Sequence, residues 1–594
     1  MGLLVQKFGG TSVADPEKIK AAARKAIRAQ QEGNQVVVVV SAMGHKTDEL
    51  IDLAEQVADR PAAREMDMLL STGEQVSVAL MAMAVHDMGY QAVSLTGAQI
   101  GIRTDSTHTK ARIKSISTDR IRKALDQGNI VIAAGFQGID EDFNITTLGR
   151  GGSDTTAVAL AAVLRADACE IYTDVDGVYT TDPRLLPEAR RMKQCSYDEI
   201  LELASMGAGV MHSRSIEFGK KFNVPIHVRS SFTDIKGTMI VAESESPDQA
   251  VSGCALAKDE ARITMRGVPD LPGTSFEIFS RLAAKSISVD MIVQNVAEEG
   301  LADISFTVPK IELRACLEAL REAASVTGVS EITHDDQVAK ASVVGLGMAK
   351  QTGVADKTFR ALAEAGVNIQ MITTSEIKIS VLVAREDGQK ALRAMHQAFE
   401  LGKPPVERST KGATAGGPHG GTPEDVVARL QSLNMEELTI DDITLDQAQA
   451  RVTIRGVPDR PGVAARVFEE VAKAGIFVDM IVQNFDIQDG RVNLTFTVPA
   501  SGLKGAIAVA DRLSNELGCK AVTSNPLIAK LSVSGIGLRS HTGVAIRAFR
   551  ALAEAGINVE MINTSEVLVN LVVAGTDGAK GLSALQSAFA DVTR

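Results

Sequence analysis

Two glycine-rich segments carry the residue types that bind phosphate groups. Residues 7–12 are Lys-Phe-Gly-Gly-Thr-Ser and follow a short apolar run, and residues 149–154 are Gly-Arg-Gly-Gly-Ser-Asp. Glycine lets backbone N–H groups approach phosphate oxygens, and lysine supplies the positive charge that a triphosphate needs. The second segment opens a predicted helix, whose first turn favours anions, and Arg150 can hold a carboxylate or phosphate through two hydrogen bonds. Together the segments predict a site for phosphate and a second anion.

Each segment alone also fits a purely structural role. Residues 7–12 could form a plain strand-to-helix turn, and Ser153 or Asp154 could do no more than cap a helix. Other phosphate loops do not occur, because the sequence has no G-x-x-x-x-G-K-[ST], His-Arg-Asp or Asp-Phe-Gly, and residues 149–152 do not match the dinucleotide fingerprint. These absences argue against a P-loop NTPase, a protein kinase and a dinucleotide-binding enzyme.

The elements that must position these segments alternate between strand and helix up to about residue 245. Val36–Val40 is an uninterrupted apolar run typical of a buried parallel strand, and residues 130–134 and 170–173 have the same character. Helices are predicted between the strands at 16–31, 47–58 and 155–165. This order predicts an α/β fold, a three-layer αβα sandwich around a mostly parallel sheet.

From about residue 250 onward the sequence repeats itself. The segment Val289–Asn295 recurs unchanged at Val478–Asn484, and the segments Thr264–Gly273 and Phe359–Gly366 also have later counterparts. A weaker repeat inside each block gives four copies of one unit, which contains a strand, a glycine turn, an amphipathic helix and a further strand. Units of this kind predict ferredoxin-like α+β modules, here in two pairs.

These features divide the chain into six predicted parts. The α/β domain covers residues 1–245. The four modules are predicted at 250–335, 336–402, 436–525 and 526–594. A glycine-rich tether and a helix, at 403–435, join the two pairs.

Composition excludes several functions. With 45% hydrophobic and 23% charged residues, the chain is of ordinary globular type. The net charge of -12, the 4% aromatic content and the lack of tryptophan argue against a nucleic-acid partner. The five cysteines have no CxxC spacing and predict buried thiols in a reducing cytosol. No segment approaches the ~18 consecutive apolar residues of a membrane span.

Taken together, these motifs resemble the amino-acid kinase family and, within it, aspartate kinase. The match rests on residues 7–12, Thr147–Asp154 and Tyr172–Arg184, in the order and spacing of that family. The repeated modules resemble ACT domains. The resemblance implies ATP-dependent phosphorylation, with Mg²⁺, of the L-aspartate side-chain carboxylate to 4-phospho-L-aspartate. That reaction would be the first step of lysine, threonine and methionine biosynthesis in the cytoplasm.

The resemblance also implies roles for individual residues. The catalytic residues would be Lys7, Arg150 and Asp154. The substrate-binding residues would be Ser41, Thr47, Glu74, Phe136, Arg150, Gly152 and Ser153. The ATP-binding residues would be Lys7, Phe8, Gly9, Gly10, Thr173, Asp174, Tyr179, Asp182, Pro183 and Arg184. Many relatives place a lysine just after a Ser-Ser near the end of this domain, whereas Ser230-Ser231 here precedes Phe232, so that role is unassigned.

The ACT resemblance implies feedback control by lysine, threonine or both, and a homo-oligomer assembled through these modules. An amino-acid effector needs backbone N–H groups at a helix start and polar groups for its ammonium. The implied effector-binding residues are Asp270, Gly273, Gln294, Asn295, Gly353, Asn368, Ile369, Asp459, Gly462, Gln483, Asn484, Gly543 and Asn558.

Two other functions stay open on the sequence. One is a different amino-acid kinase, with glutamate or a nucleoside monophosphate as acceptor, against which the ACT modules and residues 7–12 weigh. The other is a sensor of amino acids with a vestigial catalytic fold, against which Lys7, Glu74, Arg150 and Asp154 weigh.

Overall fold

The computed structural model describes all residues except 209, 247–248, 295–299, 406–434, 487–489, 539–542 and 594. The side chains of 207–208, 349–350 and 484–486 are also outside the described set. The effector candidate Asn295, the side chain of Asn484 and most of the predicted tether and helix therefore lie outside the described residues.

The amino-terminal domain alternates strands and helices as predicted. Its strands are β1 (Leu3–Phe8), β2 (Gln35–Val40), β3 (Ala92–Leu95), β4 (Ile102–Thr104), β5 (Ile113–Ile116), β6 (Ile130–Ala134), β7 (Gln137–Ile139), β8 (Ile145–Thr147), β9 (Ala168–Thr173), β10 (Gln194–Ser196), β11 (Ile226–Ser230) and β12 (Thr238–Val241). Its helices are α1 (Pro16–Gln31), α2 (Lys46–Val57), α3 (Ala63–Asp87), α4 (Gly97–Ile100), α5 (Asp119–Asp126), α6 (Gly152–Leu164), α7 (Tyr197–Leu203) and α8 (Ser213–Phe222).

An eight-stranded sheet forms the centre of this domain. Its order is β10-β12-β11-β9-β1-β2-β6-β3, and the neighbours from β11 to β3 are parallel. Val37 and Val39 enter one core cluster, and Val36, Val38 and Val40 enter the other. The valine run of β2 is fully buried because helices cover both faces of the sheet, which confirms the predicted α/β sandwich. A smaller sheet has the order β5-β4-β7-β8.

Helix α3 has an apolar composition for a structural reason. Among the described residues it is the one helix long and apolar enough to cross a membrane by length and composition. Half of its most apolar window is buried inside the domain, where α3 packs on α1, β3 and β6. Burial in the fold accounts for this composition.

The rest of the chain is built from the four predicted modules. Their strands are β13 (Gly253–Pro269), β14 (Asp290–Gln294), β15 (Leu301–Pro309), β16 (Glu331–Val344), β17 (Met371–Thr374), β18 (Lys378–Ala384), β19 (Thr439–Pro458), β20 (Ile481–Asp486), β21 (Arg491–Pro499), β22 (Ala521–Ile536), β23 (Met561–Thr564) and β24 (Leu568–Ala574). Their helices are α9 (Thr274–Ala284), α10 (Leu313–Thr327), α11 (Val354–Glu364), α12 (Gly388–Ala398), α13 (Val463–Lys473), α14 (Leu503–Leu517), α15 (Gly543–Glu554) and α16 (Gly578–Ala588).

The modules share strands, so their sequence bounds differ from their spatial bounds. Strand β13 begins opposite the end of β16, where Gly253 faces Val344, and continues between β15 and the start of β16. The predicted boundary at 335/336 falls inside β16, and that at 525/526 falls inside β22. The start of β13 therefore completes the sheet of the second module. In the second block, the start of β19 completes the sheet of the fourth module in the same way.

Packing also joins the two blocks crosswise. The first module shares a core cluster with the fourth, where the rings of Phe279 and Phe549 lie 5.7 Å apart. The second shares a core with the third, where Phe359 and Phe468 lie 5.3 Å apart. Strands β17 and β20 pair, and the resulting twelve-stranded sheet brings its end strands β14 and β23 side by side. Each duplicated block thus supplies half of two composite units.

Candidate functional site

The parallel strands of the central sheet end at one edge, and the two predicted phosphate motifs meet there. β1 ends at Phe8 and β2 ends at Val40, between β9 and β6. Nζ of Lys7 lies 2.6 Å from Oδ1 of Asp154, and the two side chains are only 11% and 12% exposed. Loops at the carboxyl edge of a parallel sheet form the ligand sites of α/β folds. The pair therefore marks the centre of the candidate site.

The second motif forms the amino terminus of α6, and its glycines are required by geometry. Gly149 and Gly151 have φ angles of 77° and 74°, which residues with a Cβ rarely adopt. A Cβ on Gly151 would lie 2.3 Å from Cβ of His212, and one on Gly135 would lie 2.7 Å from Oγ of Ser153. The start of this buried helix therefore lies close against the strand edge, where its dipole favours an anion.

Glu74 is a buried carboxylate with only half of its hydrogen-bonding capacity used. It is 2% exposed, and its Oε1 accepts a 3.0 Å hydrogen bond from the backbone N–H of Ala42. Its Oε2 is buried and has no hydrogen-bond partner among the described residues. Burial raises the pKa of Glu74 to about 7, against the opposing effect of the Ala42 N–H. An ammonium group beside Oε2 would supply the missing donor and a compensating charge.

The glycine loop after β1 lies against the segment that holds Glu74. A Cβ on Gly10 would lie 2.8 Å from the carbonyl oxygen of Ala42 and 2.9 Å from that of Gly44. The backbone N–H of Gly44 donates to the carbonyl of Gly10 at 3.0 Å. Because a side chain would not fit at Gly10, the loop can lie directly on the segment that begins with Ser41.

Other predicted substrate-binding residues surround this centre. Phe136 follows β6 with a left-handed φ of 70°, and a Cβ on Gly152 would lie 2.9 Å from its ring. Thr47 is half-buried in the first turn of α2. Arg150 is exposed on the loop that precedes α6. The structure thus gathers Lys7 and most of the predicted substrate set at one edge and leaves Arg150 at its rim.

The predicted nucleotide-binding residues follow β9 at the same edge. Thr173 ends β9, and Tyr179 donates from its hydroxyl to Oδ1 of Asp176 at 2.8 Å. Asp182 accepts from the guanidinium of Arg184 at 2.7 Å, and this pair lies at the surface. Asp174 and Pro183 are also exposed.

Phe8 differs from the other predicted nucleotide residues. Its ring stacks on Tyr172 with centroids 4.7 Å apart, and the residue is 1% exposed. Its carbonyl accepts from the N–H of Ser41. The side chain of Phe8 therefore belongs to the core and supports the loop that follows it.

Asp67 is a site-supporting residue that the sequence reasoning missed. It is fully buried in α3 and accepts hydrogen bonds from Oγ1 of Thr147 at 2.5 Å and from the N–H of Thr109 at 3.0 Å. Nδ1 of His108 lies 2.6 Å from its Oδ2. These contacts fix the strand end that leads into Gly149. A carboxylate among methionines and leucines in a helix was the available signal.

The effector candidates come together between the blocks. Asn558 Nδ2 donates to Oδ1 of Asp270 at 2.7 Å, and Gln294 Nε2 donates to the carbonyl of Val559 at 2.9 Å. Gly273 caps α9 at a φ of 96° next to this contact. The group therefore joins the first module to the fourth.

A second group repeats this geometry between the second and third modules. Asn368 Nδ2 donates to Oδ1 of Asp459, and Gln483 Nε2 donates to the carbonyl of Ile369, both at 2.9 Å. Gly462 caps α13 with a φ of 91°. Gly353 caps α11, and Gly543 begins α15.

Several buried contacts connect the modules to the α/β domain. Nζ of Lys378 lies 2.8 Å from Oε2 of Glu202, and the side chains are 5% and 0% exposed. The backbone N–H of Glu566 donates to Oε1 of the same Glu202 at 3.0 Å. Elsewhere, Oγ1 of Thr180 lies 3.1 Å from Nε2 of His396. Helix α7 and the predicted nucleotide segment therefore both contact the modules.

The carboxylates near the candidate site suit a metal ion that enters bound to a polyphosphate. Among the residues that the structure describes, no group of three or more His, Cys, Asp or Glu side chains could hold a metal ion. Mg²⁺ usually keeps several waters and binds substrate phosphates with one or two carboxylates. Asp154, next to Lys7, offers a carboxylate of that kind.

Family models match most of this architecture. A model described as the amino acid kinase family matches residues 2–230. A model of the ACT domain matches residues 342–399, 452–512 and 531–589.

Curated proteins and solved structures are also similar to this chain. The aspartate kinase of Pseudomonas putida is 51% identical over 406 residues, which are 68% of this chain and 99% of that protein. The aspartate kinase structure from Synechocystis is 41% identical, covers 99% of this chain and 98% of its own, and has a TM-score of 0.53. E. coli aspartokinase III in complex with aspartate and ADP is 26% identical, with a TM-score of 0.57 and coverage of 67% and 99% of the two chains.

Proposed function

Since this chain belongs to the aspartate kinases of the amino acid kinase family, with C-terminal ACT domains, we propose that it phosphorylates L-aspartate with ATP. The products would be 4-phospho-L-aspartate and ADP. The observation that carries the proposal is the buried Oε2 of Glu74, which has no hydrogen-bond donor among the described residues and belongs to a side chain held beside the glycine loop after β1. An amino-acid ammonium fits that oxygen, whereas a sugar or nucleotide acceptor has no such charge.

The acceptor would be held by its own charges. Glu74 would bind the ammonium, and Arg150, from the rim, would bind a carboxylate with two hydrogen bonds. Ser41, Thr47, Phe136, Gly152 and Ser153 would shape the pocket around it. The acceptor carboxylate is ionised at neutral pH, so the reaction needs positioning and charge neutralisation and no strong general base.

Lys7 would neutralise charge on the transferred phosphoryl group, supported by backbone N–H groups of Gly9 and Gly10. Asp154 would orient Lys7 and provide an oxygen for Mg²⁺, which neutralises part of the triphosphate charge when bound. The segment with Thr173, Tyr179 and Asp182 would hold the nucleotide.

We further propose that lysine, threonine or both inhibit the enzyme through the modules. E. coli aspartokinase III has been solved in complex with lysine and aspartate, in the T-state. The two composite groups around Asp270 and Asp459 are each built from both blocks, so an effector there would change how the blocks pack. Coupling requires that the effector bind one kinase state better than the other.

On this proposal the enzyme acts in the cytoplasm at the start of lysine, threonine and methionine biosynthesis, and ACT edges assemble it into a homo-oligomer.

ADP release measured with aspartate, glutamate and UMP as acceptors tests the proposal. Turnover with aspartate, lowered by lysine or threonine, is the expected result. A preference for glutamate or UMP would overturn the assignment, and so would the lack of turnover with all three.

A further inference from the structure

A short segment at the start of the second block lies on the catalytic domain. The backbone N–H groups of Met435 and Glu436 donate to the carbonyls of Lys114 and Ile113 at 3.1 and 3.3 Å. Nζ of Lys221 donates to the carbonyl of Glu437 at 2.7 Å. Met435 is 1% exposed and joins a core cluster of the catalytic domain. Residues 435–437 are thus fixed at the edge strand β5.

Within this segment, Glu436 forms a two-pronged ion pair with Arg214 at the start of α8. Nε of Arg214 lies 2.5 Å from Oε2 and Nη2 lies 2.7 Å from Oε1. The side chains are 15% and 7% exposed, so water screens the pair little. The N–H of Ile113 also donates to Oε1 at 2.9 Å. Such fork-to-fork pairs fix the plane of the guanidinium.

The remaining donors of Arg214 hold the loop that carries Arg150. Nη1 donates to the carbonyl of Leu148 at 2.5 Å, and Nη2 donates to the carbonyl of Ala111 at 2.6 Å. Leu148 directly precedes Gly149, whose positive φ begins the loop. Arg214 therefore connects Glu436 to the backbone two residues before Arg150.

We infer that Glu436 is a positioning residue for the amino-acid substrate. It orients Arg214, which in turn sets the loop that presents Arg150 to a substrate carboxylate. This inference rests on the proposed role of Arg150. Since β19 begins at Thr439, the same contact links the second regulatory block directly to the acceptor side of the active site.

The matched experiment replaces one of two neighbouring glutamates. Glu436→Gln keeps the shape and the Ile113 contact but removes the charge that fixes Arg214. Glu437→Gln removes the same charge from an exposed side chain and serves as the control. We expect E436Q to raise KM for aspartate about tenfold and to leave KM for ATP like that of E437Q. E436Q should also melt below E437Q, because the largely buried Arg214 guanidinium loses its counter-charge.

Two further variants complete the test. Glu436→Asp retains the carboxylate and should restore part of the affinity for aspartate. Arg214→Lys, which keeps the charge but loses the fork, should show the same selective rise and replaces E436Q if that variant does not fold.

An unchanged KM for aspartate in E436Q would overturn the inference. Equal rises in both KM values with a lower melting temperature would assign a structural anchor only, and would overturn it too. Arg150→Ala separates this result from failure of the proposed function. If R150A retains its affinity for aspartate, the role of Arg150 is wrong, whatever E436Q does.

Discussion

The ammonium nitrogen of Lys7 lies 2.6 Å from Oδ1 of Asp154, across the gap between the end of β1 and the first turn of α6. The pair joins the two glycine motifs, which are far apart in sequence. A lysine has three N–H donors, so it can stay on Asp154 while it donates to a phosphate. The arrangement keeps the positive charge aimed at the strand edge before a nucleotide arrives, which is the preorganisation that charge stabilisation in catalysis requires.

Removal of the Lys7 ammonium should abolish most turnover. We expect Lys7→Ala to lower kcat by about a thousandfold or more, because one preorganised donor of this kind is worth about 10²–10³ in rate and the lysine adds a full charge. Lys18→Ala is the control, since Lys18 also pairs with an aspartate but is 40% exposed on α1. Steady-state ADP release measures both. Comparable loss in the two variants would contradict the role of Lys7.

Affinity for aspartate should depend on the ionisation of Glu74. Burial raises the pKa of Glu74 to about 7, so the carboxylate becomes protonated as the pH falls through neutrality. The substrate ammonium stays charged over this range. KM for aspartate should therefore rise as the pH falls from 8 to 6, while KM for ATP changes little. Glu74→Gln should have a high KM that no longer varies with pH in this way.

The same group should destabilise the fold at higher pH. Its pKa rises from 4.5 to about 7 on folding, so the folded state holds the proton more tightly. The contribution of Glu74 to the free energy of unfolding is therefore fully present below pH 4.5, falls as the pH rises to about 7 and is constant above that. The pKa shift corresponds to a loss of about 3 kcal/mol of unfolding free energy over this range. By calorimetry, Glu74→Gln should have a higher melting temperature than the wild type at pH 8 and nearly the same melting temperature at pH 4.5.

The sequence predicted elements with strong local patterns. The run Val36–Val40 is a central parallel strand, and the α/β fold and the ACT modules are confirmed. The predicted module boundary at 335/336 falls inside β16, because this strand continues from one module into the next.

Contacts between distant residues could not be predicted. The repeats indicate four similar modules. They carry no local signal that Asn558, in the second block, contacts Asp270 in the first block. Arg214 and Glu436 are likewise ordinary surface-type residues until the fold brings them together. In the sequence, Asp67 was detectable only as a charge in an apolar stretch. That signal does not identify the residues that contact it.

The two composite effector groups should respond to different substitutions. Asn558→Ala removes the donor to Asp270, and Asn368→Ala removes the donor to Asp459. If each group binds an effector, each variant should raise the half-inhibitory concentration of the effector that binds its own group by about tenfold. This factor corresponds to the free energy lost with a hydrogen bond to a charged group. Turnover titrated with lysine, threonine and their mixture measures this. Inhibition unchanged in both variants would exclude these groups as effector sites.

The buried pair Lys378–Glu202 should couple the modules to the catalytic domain. Burial alone would lower the pKa of Lys378, but Glu202 and other nearby carboxylates outweigh it and hold that pKa above its ordinary value. Lys378→Met leaves Glu202 buried without its counter-charge and should cost about 3–5 kcal/mol.

The double variant Lys378→Met/Glu202→Gln removes both charges of the pair and should recover part of that loss, because Glu202 no longer leaves a buried charge without its counter-charge. It should also respond weakly to lysine and threonine, since the link between the modules and α7 is gone. Melting temperature and inhibition curves of the single and double variants form the measurement. The Lys403→Met variant is the control, because Lys403 pairs with Glu400 but is 72% exposed. A double variant that is stable and still fully inhibited would show that coupling runs elsewhere.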